Sequence, residues 1–139
     1  MIECFNLTKR FGEKQAVHSL NLKLEAGELF GFLGLNGAGK TTTIRMLMGQ
    51  LVPTSGTVTI LGLDAFSHRA EIMMSVGYLA DTPQFYGLLR ARENLEFVAE
   101  MRGFSRSDAK RMAAEQLERF DLSSDAEQYV MNFSLGMTK

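Results

Sequence analysis

Ile2–Leu7 and Val17–Leu24 read as strands, the second because Leu20, Leu22 and Leu24 alternate with Asn21 and Lys23. Phe11-Gly12-Glu13-Lys14 supplies a turn between them, and Ala26-Gly27 a second turn. Glu28–Leu33 (Glu-Leu-Phe-Gly-Phe-Leu) then reads as a short buried strand. Beyond Lys40 the period changes. Ile44, Leu47, Met48 and Leu51 recur at helical spacing and predict a helix with one apolar stripe. Pro53-Thr54-Ser55-Gly56 breaks the chain. Thr57–Leu61 is β-branched and strand-like, and Ser67–Met74 reads as a short helix. Val76–Ala80 reads as another buried strand, ending at Asp81, and Thr82-Pro83-Gln84 starts a loop.

The character changes after Arg90. Ala91–Arg102 predicts a helix with Leu95, Val98 and Ala99 on one side. Ser105 followed by Asp108 resembles a capping box. The helix it starts carries Ala109, Met112, Ala113, Leu117 and Phe120 on one face. The expected division is therefore residues 1–90, mixed α/β, and residues 91–139, mostly helical. Nine methionines are spread through the chain, and their expected role is to fill core space.

Composition narrows the possibilities. A chain of 139 residues suits one domain and buries a single core. The net charge is −1 and the pI about 6.1, and no basic tract marks a nucleic-acid groove. Cys4 stands alone, so neither an internal disulfide nor a cysteine metal cluster is expected. His18 and His68 match no ligand spacing and read as ordinary histidines. There is no signal-peptide pattern, and no apolar run approaches the roughly 20 residues needed to span a bilayer. The expectation is a cytoplasmic protein without a transmembrane segment of its own.

The chemistry is concentrated in residues 34–42. Gly34-Leu35-Asn36-Gly37-Ala38-Gly39-Lys40-Thr41-Thr42 contains Gly-x-x-x-x-Gly-Lys-Thr, the phosphate-binding loop of nucleotide triphosphatases. Backbone N–H groups of such a loop wrap the phosphates, and glycines allow sharp turns and close approach. Lys40 places a positive charge on the terminal phosphates, and the Thr41 hydroxyl is positioned to ligate Mg²⁺. The helix that follows aims its positive end at the anion. The predicted strand before the loop and helix after it are the context this motif requires.

With that loop placed, the chain resembles the ATP-binding subunit of an ABC transporter along essentially its whole length. Leu7-Thr8-Lys9-Arg10-Phe11-Gly12 looks like the segment whose aromatic residue, here Phe11, stacks on adenine. Val76-Gly77-Tyr78-Leu79-Ala80-Asp81 looks like the approach to the family's Q-loop, with Asp81 where a Gln is usual and Gln84 three residues late. An Asp there offers oxygen to Mg²⁺ but, when ionised, donates no hydrogen bond. Ala91-Arg92-Glu93-Asn94-Leu95 resembles the start of the helical subdomain. Phe133-Ser134-Leu135-Gly136-Met137 resembles the signature motif, matching at Ser134 and Gly136 and departing at Leu135 and Met137 in the manner of drug or lipid exporters.

The resemblance implies an α/β phosphate-loop fold: an N-terminal β subdomain, part of a RecA-like core, and a helical subdomain. It implies ATP and Mg²⁺ as ligands, held by the loop residues with Phe11, Thr41 and Asp81. It implies contact of Ser134, Gly136 and Met137 with nucleotide on a second ATP-binding domain. Membrane permease subunits are the other implied partners, and the place is the inner face of the cell membrane. In the family the Walker B strand, with its Mg²⁺-binding Asp and catalytic Glu, follows the signature, and a switch His comes later. Tyr78-Leu79-Ala80-Asp81 superficially resembles Walker B, but Thr82 follows where Glu is needed. The expectation is an N-terminal portion of a longer ATPase that binds MgATP and, alone, hydrolyses it poorly. A soluble ABC-type ATPase or a non-catalytic nucleotide-binding or interaction module is the alternative. A GTPase is disfavoured, since the chain lacks both Asp-x-x-Gly after the loop and Asn-Lys-x-Asp.

Overall fold

In the computed structural model, which describes residues 1–80 and 83–138, the first two predicted strands outrun their apolar pattern and form one hairpin. Strand β1 spans Ile2–Phe11 and β2 spans Lys14–Leu24, antiparallel, with Phe11 opposite Lys14 across the turn at Gly12-Glu13. Cys4 and Leu7 are both buried, yet an odd number of positions separates them. Strict alternation would send them to opposite faces. A register shift between them resolves the conflict, with Asn6 at φ 48°. Asn is one of the few residues other than glycine to adopt this conformation readily. The Asn6 N–H donates to Asn21 Oδ1 at 2.8 Å, and Asn21 Nδ2 donates to Asn6 Oδ1 at 3.3 Å.

Strand β3 (Ser55–Ile60) pairs antiparallel with the other edge of β1, and β4 (Leu63–Asp64) adds to β3. The sheet order is β2-β1-β3-β4. Helices α1 (Lys40–Leu47) and α2 (Arg69–Ser75) contribute Met46 and Ile72 to the same core as Leu7 and Val58. These four side chains are essentially inaccessible, and each such burial stabilises the fold by about 1.5–3 kcal/mol. Burial pushes the Cys4 thiol above its usual range, so it behaves as a small hydrophobe.

Several sequence expectations are corrected. Helix α1 buries Thr43 and Met46, whereas Ile44 of the predicted stripe is exposed. The helix also ends at Leu47 instead of reaching Leu51. Gly49, at φ 60°, donates from its N–H to Met46 O, and the Gln50 N–H donates to Arg45 O at 2.8 Å. That is a Schellman ending, which reverses the chain before Leu51. Glu28–Leu33 and Val76–Ala80 form no ladder among the described residues, and Leu29, Leu33 and Leu79 are exposed. A strand needs a neighbour for its N–H and C=O groups, and none of the four strands pairs with these segments. His18 and His68 are both exposed.

The described chain forms two compact units, Met1–Tyr78 and Leu79–Lys139, while the sequence changes character after Arg90. The second unit is built on α3 (Ala91–Met101) and α4 (Arg106–Arg119). Ser105 starts α4 as the sequence predicts: its Oγ accepts the Asp108 N–H at 3.2 Å. Ala109, Ala113 and Leu117 are buried, but Phe120, the C-cap residue after α4 ends at Arg119, is exposed. On α3, Val98 is exposed and Asn94 is buried instead. Asn94 is fully engaged. Its Oδ1 accepts the Tyr86 N–H at 3.0 Å, and its Nδ2 donates to the carbonyls of Tyr86, Leu89 and Arg90. It thereby fixes the chain that enters the helix.

Candidate nucleotide site and signature turn

Helix α1 begins at the glycine loop, with Gly39 as its N-cap at φ 89°. A Cβ at Gly39 would lie 2.3 Å from the carbonyl oxygen of Ala16 and 3.2 Å from Val17 Cγ2 on β2. Only glycine satisfies both the left-handed backbone and that approach. The loop closes by an Ala38 N–H bond to Leu35 O at 3.1 Å, and the Thr43 N–H is taken by Gly39 O at 2.8 Å. No acidic residue stands in the first helical turn. No carboxylate within that turn offsets its positive end. Lys40 arches across the loop, its Nζ donating to Gly34 O at 2.5 Å and Leu35 O at 2.9 Å. The ammonium is thus held at the loop rather than extended into water. Thr41 is exposed and Thr42 half-buried, both in the opening turn of α1. Gly34, Asn36, Gly37, Ala38, Gly39, Lys40, Thr41 and Thr42 all lie in this one loop and turn.

Phe11 belongs to the same unit. It ends β1, opposite Lys14, on the hairpin whose Ala16 meets Gly39. Its ring is half-exposed. Lys9 Nζ sits 5.2 Å from the ring centroid and also donates to Val52 O at 2.7 Å. Sequence reasoning missed Lys9; the available signal was its place two residues before Phe11 on one strand. Asp81 lies outside the described residues. Among those described, no group of three or more His, Cys, Asp or Glu is placed to hold a metal.

The signature candidates lie in the second unit. Ser134 Oγ accepts the Met137 N–H at 3.3 Å, and the Thr138 N–H donates to Ser134 O at 3.2 Å. Ser134 therefore caps a single turn that contains Gly136 and Met137, and the three predicted residues stand together. Leu95, Leu117, Val130 and Phe133 line an apolar cavity of about 490 Å³, with Ser134 and Gly136 also on its wall.

The segment that precedes this turn is held by contacts that leave no pattern in the sequence. Residues 126–131 run antiparallel to residues 87–92. The Ala91 N–H donates to Gln128 O, the Arg92 N–H to Ala126 O, the Val130 N–H to Leu89 O, and the Met131 N–H to Gly87 O. Glu127 accepts hydrogen bonds from Arg92 Nε and Arg90 Nη1. Bonding to Arg92 above all, then to Arg90, holds its carboxyl below the usual carboxylate range. A carboxylate one residue away from Gln128, facing two arginines distant in sequence, leaves no periodic signal.

The ABC transporter family matches residues 17–139, and the chain belongs to that family. It is 42% identical over 137 residues to a bacitracin transport ATP-binding protein of Bacillus licheniformis, covering 99% of this chain and 44% of the relative. It is 37% identical to a linearmycin resistance ATP-binding protein of Bacillus subtilis, covering 100% of this chain and 45% of the relative. A probable multidrug ABC transporter ATP-binding protein of Escherichia coli is also 37% identical, over 98% of this chain and 24% of its own length. Among solved structures, an ATP-binding subunit of an ABC transporter superposes with a TM-score of 0.86 at 27% identity, over 99% of this chain and 57% of that one. A dimeric ATP-binding cassette bound to ADP and phosphate gives a TM-score of 0.84 at 24% identity, covering 99% and 65%, and shares the fold. The chain spans less than half the length of these curated relatives.

Proposed function

We propose that residues 1–139 are the nucleotide-holding portion of an ATP-binding subunit that powers an ABC exporter of antibiotics, drugs or lipids. The observation that carries this reading is the Gly39–Lys40 junction. There a backbone cradle, a helix N-terminus and a held ammonium converge in one loop. The donor set fits a nucleoside triphosphate. Loop N–H groups and the α1 terminus take phosphate oxygens, Lys40 exchanges two carbonyl partners for the terminal phosphates, and Phe11 offers a stacking face to adenine. Mg²⁺ keeps most of its ligands from water and phosphate, so the Thr41 hydroxyl is an adequate protein contribution. Bound MgATP supplies a phosphoanhydride whose cleavage releases free energy. Positioning by Lys40 and the loop is the part these residues contribute, and Thr82 after Asp81 offers no general base.

In the longer subunit, the turn capped by Ser134 faces nucleotide bound on a second ATP-binding domain. Ser134 Oγ and the Gly136 N–H are its phosphate-directed groups, and Met137 lies beside them. ATP then joins the two domains, and its hydrolysis releases them, shifting membrane permease subunits between access states. The subunit works at the inner face of the cell membrane. No helix among the described residues is long and apolar enough to cross it.

Export is tested with the whole subunit and its permease in a sensitive host. Expression is expected to raise the tolerated concentration of a peptide antibiotic such as bacitracin, and Lys40→Ala to abolish the gain. No gain against a panel of peptide antibiotics and lipophilic drugs would remove the exporter reading.

A further inference from the structure

We propose that Lys9 is a positioning residue for the adenine platform, holding one face of Phe11 so that the other is presented to the base. The proposal rests on the reading of Phe11 as the stacking residue. The Lys9 ammonium lies 5.2 Å from the Phe11 centroid, within the range of cation–π attraction. It is not free to wander, because it also donates to Val52 O at 2.7 Å. That carbonyl is itself fixed. Next but one along the chain, the Thr54 N–H donates to Thr8 O at 2.8 Å, and Thr54 Oγ1 accepts the Arg10 N–H at 2.9 Å. The segment that follows α1 is thereby tied to the end of β1, with Lys9 spanning the two.

Phe11 needs such a support. It is the last residue of its strand and its ring is half-exposed. An exposed terminal side chain keeps its rotamer freedom until a ligand orders it, and that ordering weakens binding. A cation anchored on one face removes part of the cost in advance. It also draws π-electron density toward itself, so a base on the opposite face meets less π repulsion. The charge is directed at the ring and not at the phosphates, which distinguishes its effect from that of Lys40.

The test compares binding of MgATP and of magnesium tripolyphosphate to residues 1–139 and to the variants Lys9→Met, Lys9→Arg, Phe11→Ala and Lys9→Met/Phe11→Ala. Lys9→Met is expected to weaken MgATP binding roughly threefold to fivefold, the scale of an exposed cation–π contact, and to leave tripolyphosphate unchanged. Lys9→Arg is expected to retain affinity. In the Phe11→Ala background, loss of Lys9 is expected to cost nothing further. Equal weakening of both ligands, or a full Lys9→Met effect without Phe11, would overturn the proposal. So would an unchanged Lys9→Met where Phe11→Ala is weakened, and that result leaves the stacking reading intact. An unchanged Phe11→Ala removes the stacking reading and this inference with it.

Discussion

A Cβ on Gly39 would stand 2.3 Å from the carbonyl oxygen of Ala16, so the glycine loop and the β1–β2 hairpin meet with no room for a side chain. Gly39→Ala must push the loop off the hairpin and force a residue with a side chain into a left-handed backbone. The expected cost is about 2–4 kcal/mol of stability, from strain and overpacking together. A denaturant midpoint checks it, and MgATP affinity is expected to fall with it. Wild-type values of both would show that the loop accommodates a side chain against the hairpin.

Phe11→Ala removes an exposed ring that caps no core. Stability is expected to stay near wild type while MgATP binding weakens by about 1–2 kcal/mol, the scale of base–aromatic stacking. Titration by calorimetry or fluorescence reads it, and an unchanged dissociation constant would reject Phe11.

Ser134 caps its turn through the Met137 N–H, and the proposed role adds a phosphate contact made only on a second domain. Ser134→Ala is therefore expected to leave MgATP affinity of residues 1–139 unchanged and to slow steady-state hydrolysis by the whole subunit about a hundredfold, the scale of losing one donor to developing transition-state charge. Undiminished turnover would place the signature elsewhere.

Glu127 gives a pH dependence with a fixed sign. Its carboxyl is held low by Arg92 and Arg90, so the folded chain binds fewer protons there than the unfolded chain does. The stabilisation is complete above the unfolded carboxylate pKa and is lost as pH falls through the lower folded value. Asp64, hydrogen-bonded by Ser67, and Asp108, hydrogen-bonded by Ser105, shift in the same direction. The difference between wild type and Glu127→Gln isolates the Glu127 part. The two melting temperatures are expected to differ at neutral pH and to converge on acidification; parallel curves would show that the Glu127 bonds to Arg92 and Arg90 do not stabilise the fold.

Much of this was legible in the sequence, for reasons visible in particular residues. The hairpin followed from the spacing of Leu20, Leu22 and Leu24, and the start of α4 from Ser105 and Asp108, because both signals are local. The need for glycine at position 39 was legible because its left-handed backbone and its approach to Ala16 leave no room for a side chain. The failures are non-local. Leu29 and Leu33 look like a buried strand, but burial depends on a neighbour that their own pattern does not specify. Ile44 shares apolar spacing with Leu47, Met48 and Leu51, but the first turns of α1 bury Thr43 and Met46 instead, and that choice of face is not encoded in the spacing. Lys9 over Phe11, Asn94 inside its ring of carbonyls, and Glu127 between two arginines depend on contacts that the spacing of residues does not encode.

The proposed site for nucleotide phosphates at Gly39 and Lys40 is tested by MgATP binding to residues 1–139. Isothermal titration of wild type against Lys40→Ala, with melting curves to show that both are folded, is the measurement. Saturable 1:1 binding to wild type and none to folded Lys40→Ala is the predicted result. Equal affinity in the two proteins, or no binding by a folded wild-type chain, would show that this loop holds no nucleotide phosphate.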